Sequence, residues 1–286
     1  MYSGWSMWIH FVCGTTCGVR VNSVQGMLTK VWRSVVSLWT RGRSVERFGY
    51  AVAAVLFVSG SVHVVVFLAD GGSWEGPVSW RKAVTFGLSF GMTLACLVWV
   101  SSYVAMGPVV RRVLLGVFAG ASVAEVAGIT VQAWRNVPSH FNYEDGFSTV
   151  VTGMLAGGGA VIVASVLTLT ILSLRAAPDT APSMRLAVRA GLVILMGAMV
   201  TGAVMIAVGV TLVNGGDQQG AYETAGWLKP THAVTMHAVG VLPALAFVLA
   251  CTNLDERRRA RIVGCGVWAY GLAALVTVVV NVAAGR

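Results

Sequence analysis

Seven long apolar stretches recur along the chain, and they constrain its fold more than any other feature. They lie at about 49–69, 84–105, 111–134, 148–174, 187–213, 231–252 and 262–283. Each is long enough, as a helix, to cross the roughly 30 Å of hydrocarbon in a bilayer. Charged residues make up only 11% of the chain, against about 25% in a soluble domain. The sequence therefore predicts an all-α fold, a polytopic transmembrane bundle of seven helices.

Positive charge is distributed unevenly over the predicted loops. If the N-terminus is cytoplasmic, most of the 20 Lys and Arg residues fall on the cytoplasmic side. The outer side keeps Arg81, Lys82, Arg135, Lys229 and Arg286. This bias predicts a cytoplasmic N-terminus and an extracytoplasmic C-terminus. The net charge of +9 is then explained by topology and by contact with membrane lipid, and no nucleic-acid partner is expected.

The N-terminal part differs from the rest of the chain. Residues 1–47 are predicted to be a cytoplasmic basic segment, and residues 48–286 the seven-helix transmembrane domain. Within 28–47, aromatic and apolar residues are mixed with basic ones, which fits either a helix along the membrane interface or a flexible basic tail. Residues 1–26 carry no basic region ahead of their apolar run, so they do not form a normal signal peptide. We expect the natural start near Met27.

Three ionisable residues lie well inside the apolar stretches. At 1.5 Å per residue, His63 lies about 9 Å, His237 about 10 Å and Glu125 about 14 Å from the outer ends of their spans. Ionisable side chains are costly inside a membrane and by default indicate function. Because all three lie in the outer half, we expect one outer-half pocket.

Two histidines, His232 and His237, begin the sixth stretch five residues apart. Five residues turn a helix by about 140°, whereas an i, i+4 pair returns to nearly one face and can hold one ion. Pro230 suits the first helical turn. His232 is therefore expected at the mouth of the pocket and His237 inside the bundle.

Glu125 and Gln132 are seven residues apart and share a helix face. That face leads outward to the PSHFN segment at 138–142. The predicted pocket comprises His63, Glu125, Gln132, His140, Asn142, His232 and His237, and it is capped by Trp80, Arg81 and Lys82. Structural roles compete with this interpretation: a histidine bonded between helices, a protonated Glu125, and interface anchors at 80–82.

Three classes of function fit such a pocket. The first is a membrane-embedded enzyme or redox protein that binds haem or a transition metal (zinc, copper or iron) through imidazole. His63 and His237 would then hold a haem. Alternatively, His140, His232 and His237 would hold a metal, with Glu125 and His140 as catalytic residues and Glu125 as general base. The substrate would be a lipidic or small-molecule ligand from the outer side. The second class is a proton-coupled transporter or sensor, and the third an accessory membrane subunit without catalysis.

Three segments carry a resemblance to known proteins. WRKAVTFGLSFGMTLACLVWV (80–100), QAWRNVPSHFN (132–142) and THAVTMHAVGVLP (231–243) together resemble a group of bacterial multipass membrane proteins. The resemblance covers most of residues 50–250 and implies a multipass protein of the bacterial cell membrane with an outer-side site. It implies no particular reaction.

The histidine pair is also similar to that of seven-span zinc hydrolases of the alkaline ceramidase and adiponectin-receptor kind. Those proteins use a His-x3-His pair with a third His, an Asp and a Ser. This chain departs from them in having His-x4-His and no Asp inside a span.

Overall fold

A computed structural model describes residues 24–40, 42–72, 74–175, 177, 179–224 and 226–284, and every regular element in these ranges is a helix. In chain order they are α1 Val24–Thr40, α2 Ser44–Asp70, α3 Trp80–Ser101, α4 Pro108–Trp134, α5 Gly146–Ser173, α6 Pro182–Asn214, α7 Gln218–Thr224, α8 Lys229–Ala250 and α9 Glu256–Ala284. Residues 1–23, which make up most of the segment ahead of the expected start near Met27, lie outside the described residues.

Seven helices, namely α2 to α6, α8 and α9, are long and apolar enough to cross a membrane. This confirms the predicted all-α bundle and indicates a multipass membrane protein. Each of these helices begins two to six residues before its predicted span, and α3 begins at Trp80 rather than near 84. Residues 80–82 therefore form the first turn of α3. The bundle end that carries the α2–α3, α4–α5 and α6–α8 connections is called the outer end, after the predicted orientation.

Glycines bring α2 and α3 into close contact. A Cβ atom on Gly87 would lie 2.6 Å from the backbone of Gly60, and one on Gly91 would lie 2.7 Å from the backbone nitrogen of Phe57. Because lipid offers no hydrophobic driving force between helices, close backbone packing of this kind is a main source of their association. It fixes the position of Trp80, on α3, relative to His63, on α2.

A buried arginine joins three segments at the opposite, inner end. Arg111 is only 2% exposed and donates to the carbonyl oxygens of Ser101 at 2.5 Å and Val104 at 3.1 Å. Its Nη1 also lies 3.8 Å from Oε1 of Glu46. A guanidinium suits this place because it offers five donors in a fixed plane. Arg111 thereby connects the start of α2, the end of α3 and the start of α4.

Side chains of α9 form hydrogen bonds to α8. Oδ1 of Asn281 accepts hydrogen bonds from the backbone N–H and the hydroxyl of Thr231, and the Tyr270 hydroxyl donates to the Val234 carbonyl at 2.6 Å. The Thr231 N–H belongs to the first turn of α8, where backbone donors have no partner inside the helix. Asn281 therefore caps α8 from a neighbouring helix.

Candidate functional site

The deepest predicted residue, Glu125, is a buried carboxyl. It is 4% exposed, and its Oε1 has no hydrogen-bond partner among the residues that the structure describes. The nearest hydroxyl along α4, that of Ser122, donates to the Phe118 carbonyl at 2.8 Å. A buried polar atom without a partner costs roughly 1–3 kcal/mol, and more if it carries charge. A buried polar atom of this kind calls for an explanation, of which a proton-carrying role and an ordered water are two.

Glycines of α5 make the space that the Glu125 carboxyl occupies. A Cβ atom on Gly158 would lie 2.6 Å from Oε1 of Glu125, and one on Gly159 would lie 3.9 Å from it. The side chain of Glu125 therefore points from α4 towards the backbone of α5. This contact is not predicted from the sequence, although the GGG run at 157–159 in an apolar span is a visible signal.

An apolar cluster closes the space on the outer side of Glu125. Ile129, Val151 and Leu155 form it with Phe86 packed against them, and we call these four residues the apolar plug. Ile129 lies four residues outward of Glu125 on α4, which is about 6 Å at 1.5 Å per residue. The plug separates the carboxyl from the outer loops.

His140 lies on the outer side of the plug. Its ring centroid is 5.9 Å from that of Phe86, and its Nδ1 lies 2.9 Å from the Ser139 hydroxyl. Burial, followed by the positive charge of Lys82, lowers the pKa of His140 to about 3. The imidazole is therefore neutral in the physiological range, and it does not carry a proton there.

The PSHFN segment is anchored to α6 by the residue after His140. Phe141 has a φ of 59°, a left-handed conformation that is rare for a non-glycine residue. Its ring fills the place that a side chain on Gly209 would take, and the Tyr222 hydroxyl of α7 lies 3.5 Å from its carbonyl oxygen. The packing of the ring compensates for the unfavourable backbone.

Gln132 belongs to a polar network that holds the outer loop. It is fully buried, donates to the Ser148 hydroxyl oxygen at 3.0 Å and accepts from Arg135 at 2.6 Å. Asp145 accepts from the Ser148 backbone at 2.9 Å and caps α5. The backbone and side-chain donors of Ser148, together with Arg135, lower the pKa of Asp145 to about 2. This carboxylate stays charged except in strong acid.

Asn142, the last residue of the PSHFN segment, is fully buried. Its side chain donates to the Pro138 carbonyl at 3.2 Å and accepts from the Glu144 N–H at 3.1 Å. Its own carbonyl accepts from Thr152 at 3.0 Å. These bonds are internal to the loop and α5, so Asn142 shapes the loop.

His63 has both ring nitrogens engaged. Nδ1 lies 2.7 Å from the Ser59 carbonyl oxygen, and the Trp134 indole donates to Nε2 at 3.1 Å. Because a carbonyl oxygen only accepts, Nδ1 carries the hydrogen and the ring is neutral. Trp80 packs over the pair, 5.9 Å from the His63 ring, and donates to Asp70 at 2.7 Å. This aromatic cluster leaves no nitrogen of His63 for a haem iron.

The two histidines of α8 have different surroundings. Nδ1 of His232 donates to the Ala198 carbonyl at 2.8 Å, and the Thr201 hydroxyl is 3.3 Å from the same nitrogen. His237 is half-buried, and no hydrogen bond joins its ring to another residue in the described ranges. His232 thus faces α6, as a residue that connects two helices.

The basic residues at the start of α3 are both half-buried. Arg81 forms an ion pair with Glu75, with Nη1 and Oε2 3.2 Å apart. Lys82 lies close enough to His140 for its charge to act on that ring. Of the three predicted capping residues, Lys82 acts on His140 through its charge, whereas Trp80 packs against His63 in the aromatic cluster.

The predicted residues therefore divide into separate groups. His63 joins Trp80 and Trp134, His140 lies with Lys82 above the apolar plug, Glu125 lies below it, and His232 contacts α6. Within the part of the chain that the structure describes, no three His, Cys, Asp or Glu side chains group closely enough to hold a metal ion. The predicted metal set His140, His232 and His237 gains no support from this arrangement.

Comparison with known proteins adds no assignment. No protein-family model, curated protein or solved structure matches the chain. The fold and its seven membrane-length helices define the class, a multipass membrane protein, and the site must be interpreted from its own geometry.

Proposed function

We propose that this chain is a proton-coupled membrane protein, a transporter or a sensor, in which Glu125 takes up and releases the proton. The observation that carries the proposal is the buried Oε1 of Glu125, which has no partner in the described ranges. Carboxyls buried in membrane bundles are characteristic of proton relays. An ionised carboxylate without a partner is costly in an apolar interior, so loss of the proton must be accompanied by a change in its surroundings.

The apolar plug supplies a means of coupling. Water cannot reach Glu125 from the outer end without displacement of Phe86 or the three residues on which it packs. Protonation and deprotonation are then linked to opening of the plug, because only an open plug gives the charged carboxylate access to water. Coupling of proton uptake to transport or sensing requires an element with two states, and here the two states are the closed and the open plug.

His140 has a different part in this proposal from the one predicted for it. With its pKa near 3, it is a neutral hydrogen-bonding group on the outer face of the plug. It is suited to contact a ligand or water at the mouth, while Glu125 alone carries the proton.

A metal- or haem-binding enzyme is the less well supported candidate. His63 is committed to Ser59 and Trp134, so a haem held by His63 and His237 would require the aromatic cluster to open. Visible absorption and metal analysis of the purified protein test this candidate directly. A Soret band, or one metal per chain, would favour it over the proton-coupled protein.

The proton-coupled function is tested by infrared difference spectroscopy of the full chain in nanodiscs across a pH titration. We expect a pH-dependent C=O band of a protonated carboxyl that disappears in Glu125→Gln. The matched control is Glu144→Gln, which alters an exposed carboxyl of the outer loop and should keep the band. A spectrum that is the same in Glu125→Gln and in the unmodified protein would overturn the proposal.

A further inference from the structure

A cavity lies at the outer end, and its lining includes neither Glu125 nor a histidine. It has a volume of about 480 Å³ and is lined by Val208, Glu223, Thr224, Gly226, Trp227, Lys229 and Val282. We call it the α7 cleft, because α7 and the turn after it form one wall and the ends of α6, α8 and α9 form the others. Its volume is in the range of small-molecule sites, about 300–1,000 Å³.

Lys229 supplies a positive charge to this cleft. Its ammonium and last methylenes occupy the space that a side chain on Gly226 would fill, so the absence of a side chain there determines where the charge lies. No hydrogen bond or ion pair engages this ammonium within the described ranges. The two charged groups that influence it most, Arg81 and Glu75, are already paired with each other at 3.2 Å. Lys229 is thus free to bind an anion.

The cleft also carries a negative and an aromatic group. Oε1 of the Glu223 carboxylate accepts a hydrogen bond from Gln219 at 2.6 Å, and Oε2 has no hydrogen bond among the described residues. The Trp227 side chain is partly exposed at the same wall. A carboxylate and an indole face can both bind an ammonium group. The cleft therefore offers complementary partners to both ends of a zwitterion.

The apolar residues of the cleft indicate where the rest of such a ligand lies. Val282, at the outer end of α9, is 38% exposed, and the α9 surface continues inward with the exposed Val278 and Val279. Val208 continues in the same way into the exposed Val204 of α6. A ligand whose polar part is in the cleft would extend apolar chains along these surfaces, which face the lipid.

We propose that the α7 cleft binds the headgroup of a zwitterionic aminophospholipid from the outer leaflet. Lys229 receives the phosphate, Glu223 and Trp227 receive the ammonium, and Val208 and Val282 contact the first methylenes of the acyl chains. The site is separate from Glu125 and does not depend on the proton-coupled function. The same headgroup chemistry is present in free phosphoethanolamine, so the test must separate the lipid from the soluble compound.

The test measures binding to the delipidated full chain in detergent by native mass spectrometry and by the shift in thermal unfolding temperature. The ligands are phosphatidylethanolamine, phosphatidylglycerol with the same acyl chains, and free phosphoethanolamine. We expect phosphatidylethanolamine to bind more tightly than the other two. Because each substitution removes a charged partner of the headgroup, Lys229→Gln and Glu223→Gln should each weaken its binding about tenfold or more.

Two further variants make the result specific. Gly226→Ala keeps both charged side chains but displaces the Lys229 ammonium, so it should weaken the lipid as Lys229→Gln does. Arg257→Gln removes an exposed cation at the inner end and should change nothing. Equal binding of the two lipids, or unchanged binding in Lys229→Gln and Glu223→Gln, would overturn the proposal. Tight binding of free phosphoethanolamine would assign the cleft to a soluble ligand and reject the lipid.

Discussion

The Cα atom of Gly158 faces Oε1 of Glu125 across the α4–α5 interface, at a distance that leaves no room for a side chain between them. A Cβ atom at this position would lie 2.6 Å from the carboxylate oxygen. The position of the buried carboxyl therefore depends on the absence of a side chain at Gly158 of α5 as well as on Glu125 of α4.

This relationship gives a matched pair of glycine substitutions. Gly158→Ala should displace the Glu125 carboxyl and shift or abolish its infrared band. Gly157→Ala should leave the band in place, because a Cβ atom there meets nothing within 4 Å. Alanine is the better helix former by up to about 1 kcal/mol, so Gly157→Ala should be neutral or mildly stabilising in thermal unfolding. Equal effects of the two substitutions would contradict the arrangement.

The apolar plug should control how quickly protons reach Glu125. Phe86→Ala removes the ring that covers Ile129, Val151 and Leu155, so the infrared band of Glu125 should respond faster to a pH jump, by about tenfold if the barrier falls by about 1.4 kcal/mol. Phe48→Ala, on a ring that is 55% exposed, is the control. An unchanged rate in Phe86→Ala would show that protons reach Glu125 by another route.

The lowered pKa of His140 leads us to expect a specific pH dependence of stability. Its pKa is lowered to about 3, whereas an unfolded histidine titrates near 6.5. Between these values the unfolded chain binds the additional proton, so the free energy of unfolding should fall as the pH is lowered from about 6.5 towards 3, by at most about 1.4 kcal/mol per pH unit. Above about pH 6.5 the ring is neutral in both the folded and the unfolded chain, so His140 no longer makes the free energy of unfolding depend on pH.

Unfolding in detergent between pH 7.5 and 4 measures this effect. His140→Phe should reduce the pH dependence relative to the unmodified protein, and Lys82→Gln should reduce it only in part, because burial is the larger cause of the lowered pKa. The same slope in His140→Phe as in the unmodified chain would show that other groups produce it.

Arg111 and Arg112 are neighbours with opposite surroundings. Arg111 is buried on Ser101, Val104 and Glu46, whereas Arg112 is exposed. Arg111→Met should lower the free energy of unfolding by about 1–3 kcal/mol, since it leaves the carbonyl oxygens of Ser101 and Val104 without their buried donor, whereas Glu46 keeps its ion pair with Arg43. Arg112→Met should lie within about 0.5 kcal/mol of the unmodified protein. Thermal or denaturant unfolding of both variants is the measurement.

The hydrogen bond between Trp134 and His63 should contribute measurably to stability. Trp134→Phe keeps an aromatic ring but leaves Nε2 of the buried His63 without its donor, at a cost of about 1–3 kcal/mol. Trp268→Phe alters an indole that is 82% exposed and should have little effect in the same assay. Equal unfolding temperatures for the two variants would argue that water replaces the indole.

The seven spans could be predicted from sequence because each depends on length and hydropathy within one segment. Glu125 could also be singled out, because it is an ionisable residue deep inside an apolar span. Its glycine partner could not, because Gly158 lies on another helix and its orientation depends on how α4 and α5 pack. The bond from Trp134 to His63 joins residues 71 positions apart and escaped prediction for the same reason. That His232 and His237 have different roles stays a prediction, and the bond from His232 to the Ala198 backbone depends on the packing of α6 against α8.

The length of α6 has a further consequence. It runs for 33 residues, or about 50 Å, and therefore exceeds the roughly 30 Å of hydrocarbon. Such a helix tilts or projects beyond the bilayer, and which of the two prevails depends on membrane thickness. Because α7 and its cleft follow directly from the outer end of α6, a thinner membrane raises them away from the headgroups and a thicker one lowers them among the headgroups. The thickness of the host bilayer thus determines how far α7 and the α7 cleft lie from the headgroups.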